Sequence, residues 1–195
     1  MPTEHTNKLA LEFHPLTSER WSDLEKLFGE KGDQAGCWCM WWRMPRQDFF
    51  KNWKAKNKVA LKTLVESGAT PGILAYHNGE PAGWCAIEPR ENYQALERSK
   101  TLKRIDEQPV WSITCFFVGK EHRGKGLTGA LIKAATDYAK KHGARIVEGY
   151  PVEPDPAKKS SSSGFMGTAS AYEKAGFKEV ARPKERVRVM RKTVR

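Results

Sequence analysis

A predicted strand ending at Val118, a glycine-rich turn and a helix follow one another, and this succession constrains the fold more than any other part of the sequence. Three glycines lie between residues 124 and 129. Glycine removes the side chains that would keep an anion away from backbone N–H groups, and a helix N-terminus adds partial positive charge. Arg123 and Lys125 add full charges beside the turn. The segment is typical of a pyrophosphate-binding loop in an α/β protein.

The same turn partly matches the P-loop of nucleoside-triphosphate-binding proteins. Residues 119–125 fit Gly-x-x-x-x-Gly-Lys between a strand and a helix. A P-loop has Ser or Thr directly after its lysine to hold magnesium, whereas Gly126 stands there. No apolar strand ends in the Asp that would complete the metal site. The sequence therefore favours a phosphate ligand bound without magnesium, and it predicts no metal site.

The loop resembles the cofactor signature of the GNAT (general N-acetyltransferase) superfamily, Arg/Gln-x-x-Gly-x-Gly/Ala. Only the last position departs from that signature, because Thr128 stands there, and Gly129 follows it. Residues 171–177 are similar to the family's Tyr-x-Lys-x-Gly-Phe stretch in the last helix. The residues that match the loop signature are Arg123, Gly124, Lys125, Gly126, Leu127 and Thr128.

The resemblance implies that acetyl-CoA is the acyl donor and that residues 123–129 bind its pyrophosphate. It also implies that the strand before the loop separates from its neighbour and binds the pantetheine arm through the backbone of Phe116, Phe117 and Val118. In the family the amine attacks the thioester directly. Tyr172 is then implied as the acid that protonates the thiolate, and a backbone N–H near Val118 as the donor to the carbonyl. Packing of the last helix against the core would explain Tyr172 nearly as well.

The base that deprotonates the amine is less evident from the sequence. Many relatives carry a carboxylate on the strand before the loop, and residues 111–118 contain none. Glu88, Glu148 and Glu153, near other strand ends, are candidates, although each also fits a solvated or paired surface carboxylate. A water chain leading to solvent would also suffice.

A dense run of aromatic, sulfur-containing and cationic residues over 37–45 lies where the family places acceptor-binding structure. Trp38, Trp41 and Trp42 would form an aromatic wall for an apolar or cationic substrate, and Arg43 would bind a carboxylate. A satellite core that covers one edge of the sheet explains the same residues equally well.

Hydrophobic periodicity predicts a single domain over residues 1–195 with a mixed α/β sheet in the order β-α-α-β-β-β-α-β-α-β-β. Asn78-Gly79 marks a tight hairpin turn, and a helix of about four turns follows the glycine loop. One uninterrupted helix is predicted over Asp48–Glu66. The other predicted strands span 9–13, 73–76, 82–87, 110–118, 145–152, 177–181 and 186–191, and the other helices span 17–28, part of 90–108, and 168–175.

The net charge of +11 suits a phosphate-rich cofactor, and it also suits nucleic acid. The aromatic and basic signature of an RRM and the pattern of a zinc finger are both missing, which makes nucleic acid the weaker partner. The favoured partner is a small-molecule or peptide amine that accepts the acetyl group. A third interpretation is a noncatalytic acyl-CoA sensor, since the strand before the loop lacks a carboxylate.

Location and assembly are less constrained by the sequence. No apolar run approaches the ~18 residues of a membrane span, and the polar start predicts an unexported protein without a membrane partner. Four cysteines do not form a disulfide framework, which favours a reducing cytoplasm. Cys85 and Cys115 fall in predicted strands, where we expect inert, buried thiols. The serine-rich connection over 153–167 is a candidate lid over the cofactor. The sequence is compatible with a homodimer but does not fix the oligomeric state.

Overall fold

A seven-stranded mixed sheet with helices on both faces forms the frame of the protein, as the sequence predicts. The computed structural model describes residues 10–30, 32, 36–53, 55–154 and 162–195. The strands are β1 Leu11–Pro15, β2 Gly72–His77, β3 Glu80–Pro89, β4 Trp111–Val118, β5 Ile146–Gly149, β6 Lys178–Lys184 and β7 Val187–Thr193. The helices are α1 Trp21–Phe28, α2 Arg46–Lys51, α3 Ala55–Glu66, α4 Gln94–Glu97, α5 Leu127–Lys141 and α6 Ala169–Lys174.

The strands lie in the order β1-β2-β3-β4-β5-β7-β6. Only β4 and β5 run parallel, and the other neighbours are antiparallel. The β2–β3 turn confirms the predicted hairpin, because Asn78 and Gly79 both have positive φ, at 53° and 78°. The parallel pair requires a crossover, which α5 supplies on one face of the sheet.

Two main hydrophobic clusters cover the two faces of the sheet, and β3 contributes to both by alternation. Cys85 and Ile87 pack on the face that α5 and α6 cover. Trp84 and Ala86 point to the opposite face, where α1, α3 and the segment 37–44 lie. A third cluster near the end of β5 includes Tyr150.

The single helix predicted over 48–66 is wrong, because α2 ends at Lys51 and α3 begins at Ala55. Asn52 caps α2, and its carbonyl accepts from the backbone N–H of Asn57 at 2.7 Å. The Asn57 side chain is buried and donates to the Gly36 carbonyl at 3.2 Å. This long-range contact leaves no signal in the local periodicity.

Several other predicted bounds also shift. β1 begins two residues later than predicted and reaches Pro15, which an edge strand tolerates. β5 ends at Gly149, and Val152 forms only an isolated bridge with Val187. Much of the predicted lid lies outside the described residues, although Ser162–Met166 forms a 3-10 helix. No described helix is both long and apolar enough to cross a membrane.

Candidate active site

A fork in the sheet lies between β4 and β5. The two strands pair only where Trp111–Ile113 meet Val147–Gly149. Beyond Ile113, β4 continues to Val118 along β3, and no described strand pairs with its other edge. Backbone groups on that edge therefore lack a strand partner among the described residues, although such groups need partners and the 3-10 helix Ser162–Met166 packs against β4. Phe116, Phe117 and Val118 lie in this stretch.

A β-bulge sits where the strands separate. Cys115 pairs with Ala86 and Ile113 pairs with Ile87, which makes Thr114 an extra residue on β4. A bulge increases the local twist and re-aims the strand beyond it. The bulge therefore helps to direct β4 away from β5 at the fork.

The glycine loop connects the fork to α5. Gly124 and Gly126 have φ of 73° and 81°, the left-handed region that favours glycine. Gly126 is the N-cap of α5, no side chain caps the helix, and its first turn holds no acidic residue. A Cβ at Gly124, Gly126 or Gly129 would meet no atom within 4 Å. The first N–H groups of α5 thus lack a side-chain partner, and the glycines border open space.

Positive charge surrounds this loop. Arg123 and Lys125 are exposed, and the Arg123 Nε donates to the Val118 carbonyl at 3.1 Å. His122 lies beside the loop, and partial burial, His77 and Lys125 together hold the pKa of that imidazole below its usual value. A basic loop beside helix N–H groups that no side chain caps is suited to bind an anion. Thr128, the position that departs from the signature, is half-buried in the first turn of α5.

Tyr172 on α6 is buried against the fork. A Cβ at Gly149 would lie 2.2 Å from its ring, which shows how closely the phenol packs on the end of β5. Its ring meets the edge of Phe116 with centroids 6.2 Å apart. The hydroxyl has no hydrogen-bond partner among the described residues, and burial raises the pKa of Tyr172 well above its ordinary value. A protonated phenol with an uncommitted donor therefore lies where the two strands part.

The three carboxylates considered as bases all form ion pairs with arginines. Such a pairing engages the carboxylate oxygens and holds them in place. None of the three is therefore an uncommitted carboxylate. The pairs are Glu88 with Arg43, Glu148 with both Arg90 and Arg191, and Glu153 with Arg188.

A buried polar network surrounds Glu148 beside the fork. Arg90 Nη1 donates to Glu148 Oε1 at 2.9 Å and to the Tyr150 hydroxyl at 2.8 Å. Tyr150 donates to Glu148 at 2.6 Å, and Ser112 Oγ lies 2.7 Å from the same hydroxyl. Burial, followed by the Glu148 charge, raises the pKa of Tyr150 well above its usual value. The sequence did not indicate Arg90, Ser112 or Tyr150, and the only local hint was a polar Ser112 within an apolar strand.

The predicted acceptor residues of segment 37–45 do not form one wall. Trp38 is 2% exposed and packs between Trp21 and Phe28 in the core. Arg43 is buried in its pair with Glu88. Trp41 stacks under Arg46, at 3.1 Å from ring centroid to guanidinium carbon. Trp42 alone of the four lines a cavity of about 500 Å³.

The cysteines of the chain are all buried thiols. Burial raises the pKa of Cys85 well above its usual value, and a protonated, inaccessible thiol is a poor nucleophile. Cys115 Sγ lies 3.4 Å from Cys39 Sγ within the core. These surroundings agree with the expectation of inert residues.

Comparison with known proteins gives a consistent picture. A sequence model of the acetyltransferase (GNAT) family matches residues 30–159. An uncharacterized N-acetyltransferase of Methanocaldococcus jannaschii is 32% identical over 103 residues, which cover 51% of this chain and 41% of that protein. The match thus spans less than half of that relative's length.

Solved structures share the fold at low sequence identity. The PaiA N-acetyltransferase from Thermoplasma acidophilum, in complex with coenzyme A, has a TM-score of 0.53 and 17% identity, and the match covers 95% of this chain and 100% of that one. A polyamine N-acetyltransferase from Drosophila melanogaster has a TM-score of 0.56 and 13% identity, with 94% and 100% covered. At such identity these similarities concern the fold alone.

Proposed function

Because the chain belongs to the acetyltransferase (GNAT) family, we propose that it transfers an acetyl group from acetyl-CoA to the amine of a small molecule or peptide. The observation that carries the proposal is the fork between β4 and β5, with a helix N-terminus that no side chain caps at one end and the uncommitted Tyr172 hydroxyl at the other. The Thermoplasma relative of the same fold binds coenzyme A.

The cofactor would lie along β4 and end at the glycine loop. The N–H groups of residues 124–129 would bind the pyrophosphate, since Gly124, Gly126 and Gly129 leave open space beside it. Arg123 and Lys125 would add charge to that contact. The free edge of β4 at Phe116–Val118 would exchange hydrogen bonds with the amides of the pantetheine arm.

Acyl transfer then needs two groups from the chain. The neutral amine attacks the thioester carbonyl, and a backbone N–H near Val118 stabilises the oxyanion that forms. The carbon–sulfur bond breaks as the tetrahedral intermediate collapses, and Tyr172 donates its proton to the departing thiolate. The new amide keeps the acetyl group, and the tyrosinate regains a proton from solvent.

The proton lost by the amine would leave through water. Glu88, Glu148 and Glu153 are each engaged by an arginine, which makes them unsuited to accept it. An amine of modest pKa is partly neutral at pH 7 and needs no dedicated carboxylate.

Thiol release from acetyl-CoA across a panel of amines tests this function. Removing a general acid commonly slows a reaction by about 100-fold or more. Tyr172→Phe should therefore lower turnover by that factor and leave acetyl-CoA affinity, measured by calorimetry, unchanged. Tyr138→Phe is the matched control, because Tyr138 lies on α5 and donates to Thr70.

The outcomes separate the competing interpretations. Acetyl-CoA binding without thiol release from any amine would indicate an acyl-CoA sensor. Binding of a random oligonucleotide in moderate salt, with no binding of acetyl-CoA, would indicate a nucleic-acid-binding module. Equal turnover of Tyr172→Phe and the unmodified protein would remove Tyr172 from the mechanism.

A further inference from the structure

The cavity of about 500 Å³ opens beside the fork but outside the proposed cofactor path. Met166 forms part of its wall, and the next residue, Gly167, lies against the rings of Phe116 and Tyr172. Val152, another wall residue, follows Gly149 by three positions, which an extended chain spans in about 11 Å. Two segments of the cavity wall are therefore continuous in sequence with residues at the fork.

The cavity combines an apolar wall with cations, and none of the described residues that line it is acidic. Trp42, Leu102, Val152, Met166 and Val187 supply apolar surface. Arg46 and Arg98 supply the charges, with hydroxyls from Ser99 and Thr101 near them. A ligand that fills this space needs an apolar body and a group that can accept hydrogen bonds.

Neither arginine has a counter-ion in the described parts of the chain. No ion pair among the described residues involves Arg46 or Arg98. Glu97, next to Arg98 in sequence, is paired with Arg90 and Arg104 instead.

Arg46 is also held in place. Its Nη1 donates to the Trp41 carbonyl at 2.8 Å, and its guanidinium lies 3.1 Å from the centre of the Trp41 ring. Partial burial lowers the pKa of Arg46, as expected for a cation that lacks a carboxylate partner. An oriented, half-buried guanidinium without a counter-ion is suited to pair with a carboxylate.

We propose that this cavity binds the acceptor and that the acceptor is an amine bearing a carboxylate on an apolar body, which Arg46 and Arg98 recognise. The proposal rests on the acetyltransferase function inferred above. A di- or polyamine is disfavoured at the same place, because it would bring a second positive charge toward two uncompensated cations.

The same charges help to explain how the reaction proceeds without an uncommitted carboxylate base. A nearby positive charge disfavours an ammonium group and lowers its pKa. An acceptor amine held between Arg46, Arg98 and the fork would lose its proton more readily than in water. The cavity thus both selects the acceptor and raises the fraction of neutral nucleophile.

Three amines with one apolar body test the selectivity: L-phenylalanine, L-phenylalaninamide and 2-phenylethylamine. A hydrogen bond to a charged group contributes about 1.5–3 kcal/mol, so kcat/KM for phenylalanine should exceed both others by about tenfold or more. Of the three amines, that of L-phenylalaninamide is the least basic and is therefore neutral most often. A preference for phenylalanine over this amide cannot come from a larger fraction of neutral amine. Putrescine, added as a fourth amine, should be the poorest substrate of all. Equal use of acid and amide, or a preference for putrescine, would overturn the proposal.

Variants connect the preference to the arginines. Arg98 is exposed, so its replacement should not disturb folding. Arg98→Gln should reduce the ratio of kcat/KM for phenylalanine to kcat/KM for phenylalaninamide about threefold to fivefold, mainly through KM. Arg46→Gln should reduce it further, although it also removes the contact with Trp41. Arg145→Gln, an exposed arginine in the turn before β5, is the control and should leave the ratio unchanged.

Binding of N-acetyl-L-phenylalanine, measured by calorimetry without cofactor, separates this proposal from the proposed function. Arg98-dependent binding without any thiol release would support the carboxylate site and contradict the acetyltransferase. Thiol release without a preference for the acid would keep the acetyltransferase and overturn the site. If the ligand did not bind and phenylalanine were not preferred, the site would be overturned by both measurements.

Discussion

The glycine loop and the network around Glu148 both concentrate positive charge at the fork, and they differ in how that charge is balanced. In the loop, Arg123 and Lys125 are exposed beside helix N–H groups without a side-chain cap. In the network, Arg90 and Arg191 bind Glu148 in the protein interior. Positive charge that is paired with a carboxylate stabilises the fold. Positive charge without such a partner among the described residues is available to a ligand.

Two tyrosines show the same difference at the scale of single atoms. The Tyr150 hydroxyl has three partners, Arg90, Ser112 and Glu148. The Tyr172 hydroxyl has none among the described residues, although both rings are fully buried. A buried donor without a partner costs free energy, and the proposed role of Tyr172 as an acid would account for that cost.

The largest effect is expected for Glu148→Ala. Removing one partner of a buried ion pair commonly costs about 3–5 kcal/mol, because uncompensated charge stays buried. Here Arg90 and Arg191 would each lose their buried carboxylate partner and keep only the more exposed Glu97 and Asp106. Urea unfolding should show this loss. Glu179→Ala, which breaks pairs with Arg182 and Arg188 at the surface, is the control and should leave the free energy of unfolding nearly unchanged, because the carboxylate is exposed to solvent. Similar losses would show that the network is not the compensated region described here.

The two tyrosines should respond differently to loss of the hydroxyl. Tyr150→Phe leaves buried groups without a partner and should lower the free energy of unfolding by about 1–3 kcal/mol. Tyr172→Phe removes a hydroxyl that has no hydrogen-bond partner among the described residues. The free energy of unfolding should therefore stay the same or rise slightly. Chemical denaturation of both variants without cofactor measures the difference. A large loss for Tyr172→Phe would mean that its hydroxyl has a structural role.

Gly149→Ala tests the packing that positions Tyr172. The new methyl would lie 2.2 Å from the ring, so the ring must move. Overpacking of this kind typically costs about 1–3 kcal/mol, and thiol release should fall together with stability. Gly164→Ala, where a Cβ meets nothing within 4 Å, is the control for adding a methyl group. Unchanged turnover in Gly149→Ala would separate the Tyr172 position from the reaction.

The smallest effect is expected for Lys125→Gln. An exposed ion pair contributes about 0.2–1 kcal/mol, so acetyl-CoA affinity should fall by no more than about fivefold at low salt. Screening should remove that difference near 0.5 M salt, where the Debye length is only about 4 Å. The loss caused by Glu148→Ala should persist in the same salt. A salt-independent defect in Lys125→Gln would argue against an exposed electrostatic contact.

The parts of the fold that sequence predicted well are those with local causes. The Asn78-Gly79 hairpin needs only two residues that adopt positive φ, and the glycine loop needs only glycine before an uncapped helix. The break between α2 and α3 was missed because local periodicity does not show it, and the buried Asn57 beyond the break bonds Gly36, a residue distant in sequence.

The site follows the same rule. Hydrophobic periodicity does not reveal the partner of a buried charge. It could not show that Arg43 binds Glu88, while Arg46 forms no ion pair with any residue that the structure describes. Trp38 and Trp42 are both tryptophans and lie only four positions apart in the sequence. Only the fold sends Trp38 into the core and Trp42 to the cavity wall.

Calorimetry of acetyl-CoA with two glycine variants tests the central claim, that the uncapped start of α5 binds the cofactor pyrophosphate. Gly126 and Gly143 flank the two ends of α5, with φ of 81° and 88°, and a Cβ at either meets nothing within 4 Å. Glutamate at either site therefore imposes similar backbone strain, of about 1–2 kcal/mol. Gly126→Glu should weaken binding by about 100-fold or more, because it places a carboxylate beside the pyrophosphate. Gly143→Glu should bind acetyl-CoA as tightly as the unmodified protein does. Equal affinity of the two variants would contradict the assignment.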